Sequence, residues 1–285
     1  MWLLPGCYGL SAVQTEFQPY SGPEHQPFEF GGGSNGALLI HGFPGTPAEM
    51  RGIGQALGQN GWHARGPLLP GFGPDIVNLA ERRREDWLKV VGSEWETLRA
   101  GHQVSALIGL SMGGALAIHL AARRPPDKLV LIAPFWRLPG FLPRLVPGLK
   151  LVIPTMRPFK DADFDDPEVR GGFERLMPGV DLDEPEVQAF LREEVTLPLS
   201  VIHDVFRLGR DGYRLAKSIS VPTLVVQGRD DQMVRPELTQ KLARRLGSEQ
   251  VTYREIPGPH ELIHEHSEQK ALVIDLVVNF LNERQ

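Results

Sequence analysis

The sequence predicts an α/β fold: a mostly parallel central sheet with helices on both faces and an inserted, mainly helical cap. Three observations point there. Short apolar runs alternate with amphipathic segments from Phe28 to Ala133 and again from Thr223 onward, which is the rhythm of βαβ units. Two of the runs, ALLI (37–40) and LVLI (129–132), are apolar at every position, as a strand covered on both faces must be. Between the two stretches, from Pro134 to about Ser218, the rhythm breaks into proline-punctuated apolar sequence, an acidic loop and two or three helical patterns. That break reads as an insertion between two strands of one sheet.

The elements follow in order. Residues 1–27 are rich in Pro, Gly and Gln without a clear period and read as an N-terminal arm on the surface. The first part of the core is expected over 28–134, the cap over 135–217 and the second part of the core over 218–285. Phe28 to Phe30 is a short strand and Ala37 to Ile40 a buried one. Thr46 to Asn60 is helical, with Thr46 as N-cap and Pro47 at the first helical position. Trp62 to Gly66 is a strand, followed by the turn-rich PLLPGFG. Glu85 to Arg99 is an amphipathic helix through Trp87, Leu88, Val91, Trp95 and Leu98. Val104 to Leu110 is a central strand, Met112 to Arg123 a helix and Lys128 to Ala133 the next strand. After the insertion come strand 223–227, helix 236–246, strand 251–256 and a last helix from His266 to Asn282.

Composition excludes several function classes. Of the 285 residues 41% are hydrophobic, enough for a full core, and no apolar run approaches a bilayer span. The formal charge is −5 with no basic stripe, so no nucleic-acid partner is expected. Arg82 to Arg84 sit among Glu81, Glu85 and Asp86 and read as a solvated helix start. The one cysteine, Cys7, cannot make an internal disulfide. The opening MWLLPGC has the look of a lipoprotein cleavage box. It lacks a basic n-region and its apolar run is short for a signal peptide. The chain is read as cytoplasmic, with secretion left open.

The chemistry starts at Gly109-Leu110-Ser111-Met112-Gly113, a G-x-S-x-G sequence. It follows the apolar strand VSALIGL and opens the helix MGGALAIHLAAR. On such a strand-to-helix turn a serine hydroxyl is lifted to the top of the sheet, and the flanking glycines let neighbouring backbone approach. Hydrolysis through a tetrahedral intermediate needs two N–H donors for the oxyanion. One is the residue after the serine, Met112. The other comes from HGFPGTP (41–47), directly after ALLI, where Gly42 leaves the amide of Phe43 approachable. The chain order serine, acid, histidine is then met. TLVVQGRDDQMV carries the neighbouring Asp230 and Asp231, and EIPGPHELIHEH carries His260, His264 and His266. His260 stands in the tight loop after the strand, whereas His264 and His266 are expected near the start of the final helix, on the surface.

Taken together, ALLIHGFPGTPAEMR, PLLPGFG, DWLKVV, LIGLSMGG, LVLIAP, VPTLVVQGRDD and IPGPHELI resemble the bacterial carboxylesterases and monoacylglycerol lipases of the α/β-hydrolase superfamily. The likeness covers about residues 28–136 and 216–285. It implies the α/β-hydrolase fold, a catalytic triad of Ser111, Asp231 and His260, and an oxyanion hole of Phe43 and Met112. Asp231 rather than Asp230 matches the D-x-x-V pattern of that family, with Val234 as its last residue, which leaves Asp230 as a turn former. The cap is longer than the short family version and the N-terminal arm is extra, so both departures bear on substrate size.

Two patterns are declined. Asp161, Asp163, Asp165 and Asp166 suggest a calcium loop, but Asp166 and Gly172 stand where an EF-hand needs Gly and Glu. HELIH (260–264) mimics a zinc motif, but Pro257, Gly258 and Pro259 place His260 at a loop end instead of on a helix. No metal and no cofactor is expected. The apolar cap start, with Phe135, Trp136, Leu138, Phe141 and Leu142, is expected to line an acyl pocket and to make transient contact with lipid aggregates. The expected function is a serine carboxylic ester hydrolase acting on small-molecule esters of short to medium acyl chains or on monoacylglycerols. The alternatives are a thioesterase, acyltransferase or carbon–carbon bond hydrolase using the same triad, or a non-catalytic binding protein of this fold.

Overall fold

A computed structural model describes residue 20 and residues 22–138, 155–176, 181–193 and 195–283. Phe141, Leu142 and most of the expected N-terminal arm lie outside the described residues. Seven of the described strands form one sheet, β1 (Phe28–Phe30), β2 (Asn35–Ile40), β3 (Trp62–Gly66), β4 (Val104–Leu110), β5 (Lys128–Ile132), β8 (Thr223–Gly228) and β9 (Val251–Ile256), in the spatial order β1-β3-β2-β4-β5-β8-β9. Only β1 runs antiparallel, against β3. A short separate pair, β6 (Thr155–Met156) and β7 (Leu197–Pro198), lies within the insertion.

The apolar runs split by parity, because successive side chains on a strand point to opposite faces. Leu38, Ile40, Leu107, Leu129, Leu131 and Val225 pack beneath α2 (Arg84–Gly101), α3 (Met112–Arg123), α6 (Leu199–Leu215) and α7 (Pro236–Ala243). Ala37, Leu39, Ala106, Ile108, Val130, Leu224 and Val226 pack beneath α1 (Ala48–Gln59) and α8 (Lys270–Asn282). The helices therefore cover both faces. In the insertion, α4 (Pro167–Leu176) and α5 (Pro185–Glu193) enclose a small core of their own around Phe164, Phe173, Leu182 and Leu191. Helix α6 also falls within the sequence assigned to the cap. Its Val201, Val205 and Leu208 nevertheless belong to the main core, and Arg84 ties it to the start of α2 through Asp211 at 2.7 Å.

Several boundaries differ from expectation. Helix α1 opens at Ala48, so Pro47 rather than Thr46 is its N-cap, and no side chain caps it; Thr46, one residue earlier, accepts the Ala48 N–H on Oγ1 at 3.3 Å. The 3₁₀ segment Gly73–Glu81 was not foreseen, since its apolar residues lack an α-helical period. Helix α8 starts at Lys270 instead of His266, because residues 261–269 close turns such as His264 N to Glu261 O and Ser267 N to His264 O. Among the described residues no helix is long and apolar enough to cross a membrane.

Strand register sets the site. Ile40 lies opposite Gly109, Leu110 opposite Ile132, Ile132 opposite Val226, and Gly228 opposite Ile256. The carboxyl ends of β2, β4, β8 and β9 thus finish at one edge, where open parallel sheets present their ligand crevice.

Candidate active site

Ser111 sits between β4 and α3 with φ 50° and ψ −113°, a left-handed conformation that costs a non-glycine residue about 1–3 kcal/mol. Its surroundings hold it there: Ser111 N donates to Ile132 O at 2.9 Å, and Ser111 O accepts from Phe135 N at 3.0 Å and from Gly114 N at 3.0 Å. The flanking glycines are required by close backbone. A Cβ on Gly109 would come within 2.3 Å of Gly113 O, and one on Gly113 within 2.1 Å of Ile40 O.

The serine hydroxyl meets His260 across the crevice, with Oγ 3.0 Å from Nε2. The other ring nitrogen, Nδ1, lies 2.7 Å from Asp231 Oδ2. A carboxylate only accepts, so Nδ1 carries the proton and Nε2 is free to take one from the serine. Asp231 has no exposed side-chain surface, and the His260 side chain is 13% exposed. Asp231 Oδ1 accepts Val234 N at 2.7 Å and Met233 N at 2.9 Å, while Oδ2 also accepts Gln227 Nε2 at 2.9 Å. Asp230 does something else. Its Oδ2 accepts Gly258 N at 3.0 Å, and Gly258 O accepts Asp230 N at 3.0 Å, so Asp230 pins the loop that carries His260.

Phe43 and Met112 border the same spot. A Cβ on Gly42 would lie 3.4 Å from Ser111 Cβ, which puts the loop beside the hydroxyl. Among the described residues neither the Phe43 N–H nor the Met112 N–H is used internally, as expected for a loop amide and the first N–H of a helix. The Gly42–Phe43 peptide is braced from behind. His41, fully buried, donates from Nδ1 to Gly42 O at 2.8 Å and accepts Leu69 N on Nε2 at 3.2 Å. Burial holds the His41 pKa below its ordinary value, which keeps the ring in the neutral form that this pair of bonds needs.

The apolar cluster is divided. Phe135 stacks on Phe206 with ring centroids 6.0 Å apart, and Trp136 stacks on Tyr213 at 4.0 Å while its Nε1 donates to Leu238 O at 2.8 Å. Those side chains pack between α6 and the core. Close approach explains it, since the backbone of Trp136 runs against Gly209 of α6. Leu138 is half-buried against the same core.

Sequence reasoning missed three polar residues here. Gln227, fully buried, accepts Thr239 Oγ1 at 2.6 Å and links Asp231 to Val234 O. A polar side chain ending an otherwise apolar strand was the available signal. His264 is not a surface residue: its Nε2 lies 3.1 Å from Glu49 Oε1, each side chain 17% exposed. Glu49 Oε2 in turn accepts Gly42 N at 2.9 Å. His260 and His264 stand in separate turns and face different partners. A cavity of about 890 Å³ opens behind the His260 loop, with Glu49, His264 and Lys270 in its wall, and Ser111 does not line it.

Residues 36–267 match the sequence model of the Hydrolase_4 family, described as serine aminopeptidase, S33. The chain belongs to this family. Within the relatives of this Hydrolase_4 protein, a carboxylesterase of Bacillus subtilis (strain 168) is 27% identical over 217 residues, 74% of this chain and 78% of that one. A thermostable monoacylglycerol lipase of Bacillus sp. (strain H-257) is 34% identical over 113 residues, 40% of this chain and 44% of its own length. Among solved structures, a metagenome-derived lipolytic enzyme superposes with a TM-score of 0.74 at 21% identity, covering 92% of this chain and 99% of that one. The monoacylglycerol lipase of Paleococcus ferrophilus gives 0.66 at 20%, covering 90% and 97%. The fold is that of the α/β-hydrolases, the resemblance read from the sequence is the one these comparisons return, and this Hydrolase_4 member is a hydrolase.

Proposed function

We propose that the chain is a serine carboxylic ester hydrolase that works through an acyl-enzyme on esters of short to medium acyl chains, monoacylglycerols among them. The observation that carries this reading is the chain of contacts from Ser111 Oγ through His260 to the buried Asp231, 3.0 Å and 2.7 Å long. The naming of two relatives as a carboxylesterase and a monoacylglycerol lipase supports the ester bond as the target.

Each group then has a task. His260 Nε2 takes the Ser111 proton as Oγ attacks the ester carbonyl, and Asp231 holds the ring in that tautomer and stabilises the imidazolium. The carbonyl oxygen gains the negative charge and is met by the Phe43 and Met112 N–H groups, which need no reorganisation because their loops are already braced. The intermediate collapses, His260 returns the proton to the alcohol oxygen, and the alcohol leaves. Water then attacks the acyl-serine by the same route, giving the carboxylic acid and restoring the hydroxyl.

The test is a p-nitrophenyl ester series from acetyl to dodecanoyl, together with a monoacylglycerol and an aminoacyl anilide, on wild type and Ser111→Ala. Turnover of the esters, none of the anilide, and a loss on the order of 10⁴-fold in the folded Ser111→Ala protein are expected. Turnover of the anilide in place of the esters would transfer the reading to amide hydrolysis. Full activity of Ser111→Ala would end it.

A further inference from the structure

We propose that Glu49 is a positioning residue that ties the loop bearing Phe43 to the loop bearing His260, with one carboxylate oxygen serving each. The inference rests on the serine hydrolase reading above. Oε2 accepts Gly42 N at 2.9 Å, one residue before the Phe43 amide. Oε1 lies 3.1 Å from Nε2 of His264, four residues after His260. Because a carboxylate only accepts, the imidazole proton at that contact sits on His264. The pair is half-buried, and Glu49 is anchored on α1, which packs against α8 beneath the sheet. A rigid element thus holds both halves of the site in register: the N–H that receives the oxyanion and the ring that moves the proton.

The charge is kept. Burial works to raise the Glu49 pKa, but the hydrogen bond and charge of His264 and the Gly42 N–H hold it below the ordinary carboxylate value. The Tyr20 hydroxyl, raised to about 12 by burial and then by the Glu49 charge, stays protonated within reach of that field. Among the described residues no hydrogen bond or ion pair joins Glu49 to His260 or Asp231, so the carboxylate acts through backbone placement and takes no part in proton transfer.

The test compares wild type, Glu49→Gln and Glu49→Leu as full chains. Active sites are counted with a fluorophosphonate and turnover is measured on p-nitrophenyl butyrate. Glu49→Leu loses both contacts, and kcat per titrated site should fall about ten- to a hundred-fold, the scale of a misplaced catalytic group. KM should stay within about twofold, because no substrate contact is removed. Glu49→Gln keeps an acceptor for Gly42 and should recover most of the loss. A kcat for Glu49→Leu within about twofold of wild type, or a loss that vanishes on counting sites, overturns the proposal. Amide and imidazole resonances give a readout independent of turnover. In Glu49→Leu both the Gly42 amide and the His260 ring signals should shift. If they stay at their wild-type positions the coupling is refuted, even in a protein that hydrolyses no ester, whereas failure of wild type to turn over or label indicts only the hydrolase reading.

Discussion

At residue scale, adjacent carboxylates in one turn have separate work. Asp231 is wholly buried and meets the His260 ring, whereas Asp230 is exposed and meets the Gly258 backbone. Asp231→Asn should therefore lower kcat by about 10⁴-fold, because an amide can hold the imidazole in the wrong tautomer. Asp230→Asn should cost less than about tenfold, through a looser His260 loop. Kinetics of the two purified variants check the order, and a reversed order would exchange the roles. The carboxylate choice was readable only through the family pattern, since composition and spacing treat the two residues alike. Glu49 and His264 were not readable at all. They are 215 positions apart, and no local period marks a contact that only the closed sheet creates.

At the scale of elements, the strand-turn-helix of β4 and α3 is held by backbone pressed on backbone. A methyl on Gly113 would meet Ile40 O at 2.1 Å, with no flexible side chain to give way. Gly113→Ala should destabilise the fold by about 3 kcal/mol or more, the upper range for overpacking. Thermal melting against wild type checks this, and an unchanged Tm would mean that β2 and α3 can separate freely. Elements of this kind were the most legible. β3, β4, β9 and α3 have the expected bounds, because their apolar periods are strong and their ends are marked by Gly, Pro or charge. The start of α8 was misread because the turns from 261 to 269 contain enough apolar residues to mimic a helical stripe. The packing partners of the insertion's aromatic opening were illegible for a related reason. Sequence shows that Phe135 and Trp136 must be covered, but not that Phe206 and Tyr213 of α6, 71 and 77 positions later, cover them.

At the scale of the whole molecule, three imidazoles among the described residues are buried and held neutral. Desolvation is the first cause in each: His25 with its Nδ1 2.8 Å from Thr46 Oγ1, His41 behind the Gly42–Phe43 peptide, and His119 donating to Leu208 O at 3.0 Å. Their folded pKa values lie below the ordinary 6.5. Between those values and 6.5 the unfolded chain binds more protons than the folded one, so stability rises with pH across that window and is lost as pH falls below it. Tm should decline from about pH 7 to 5, and His119→Gln should make the decline shallower. A Tm that is flat or rises on acidification would show that these rings are not buried as described.

The account turns on Ser111 as the group that becomes acylated, and the most direct measurement is the site of covalent capture. Wild type, Ser111→Ala and Asp231→Asn are treated with a fluorophosphonate and followed by intact mass and peptide mapping. The account predicts one adduct per chain on the peptide containing Ser111, none in Ser111→Ala, and slow labelling in Asp231→Asn. Labelling at another serine, or equal labelling of Ser111→Ala, would contradict it.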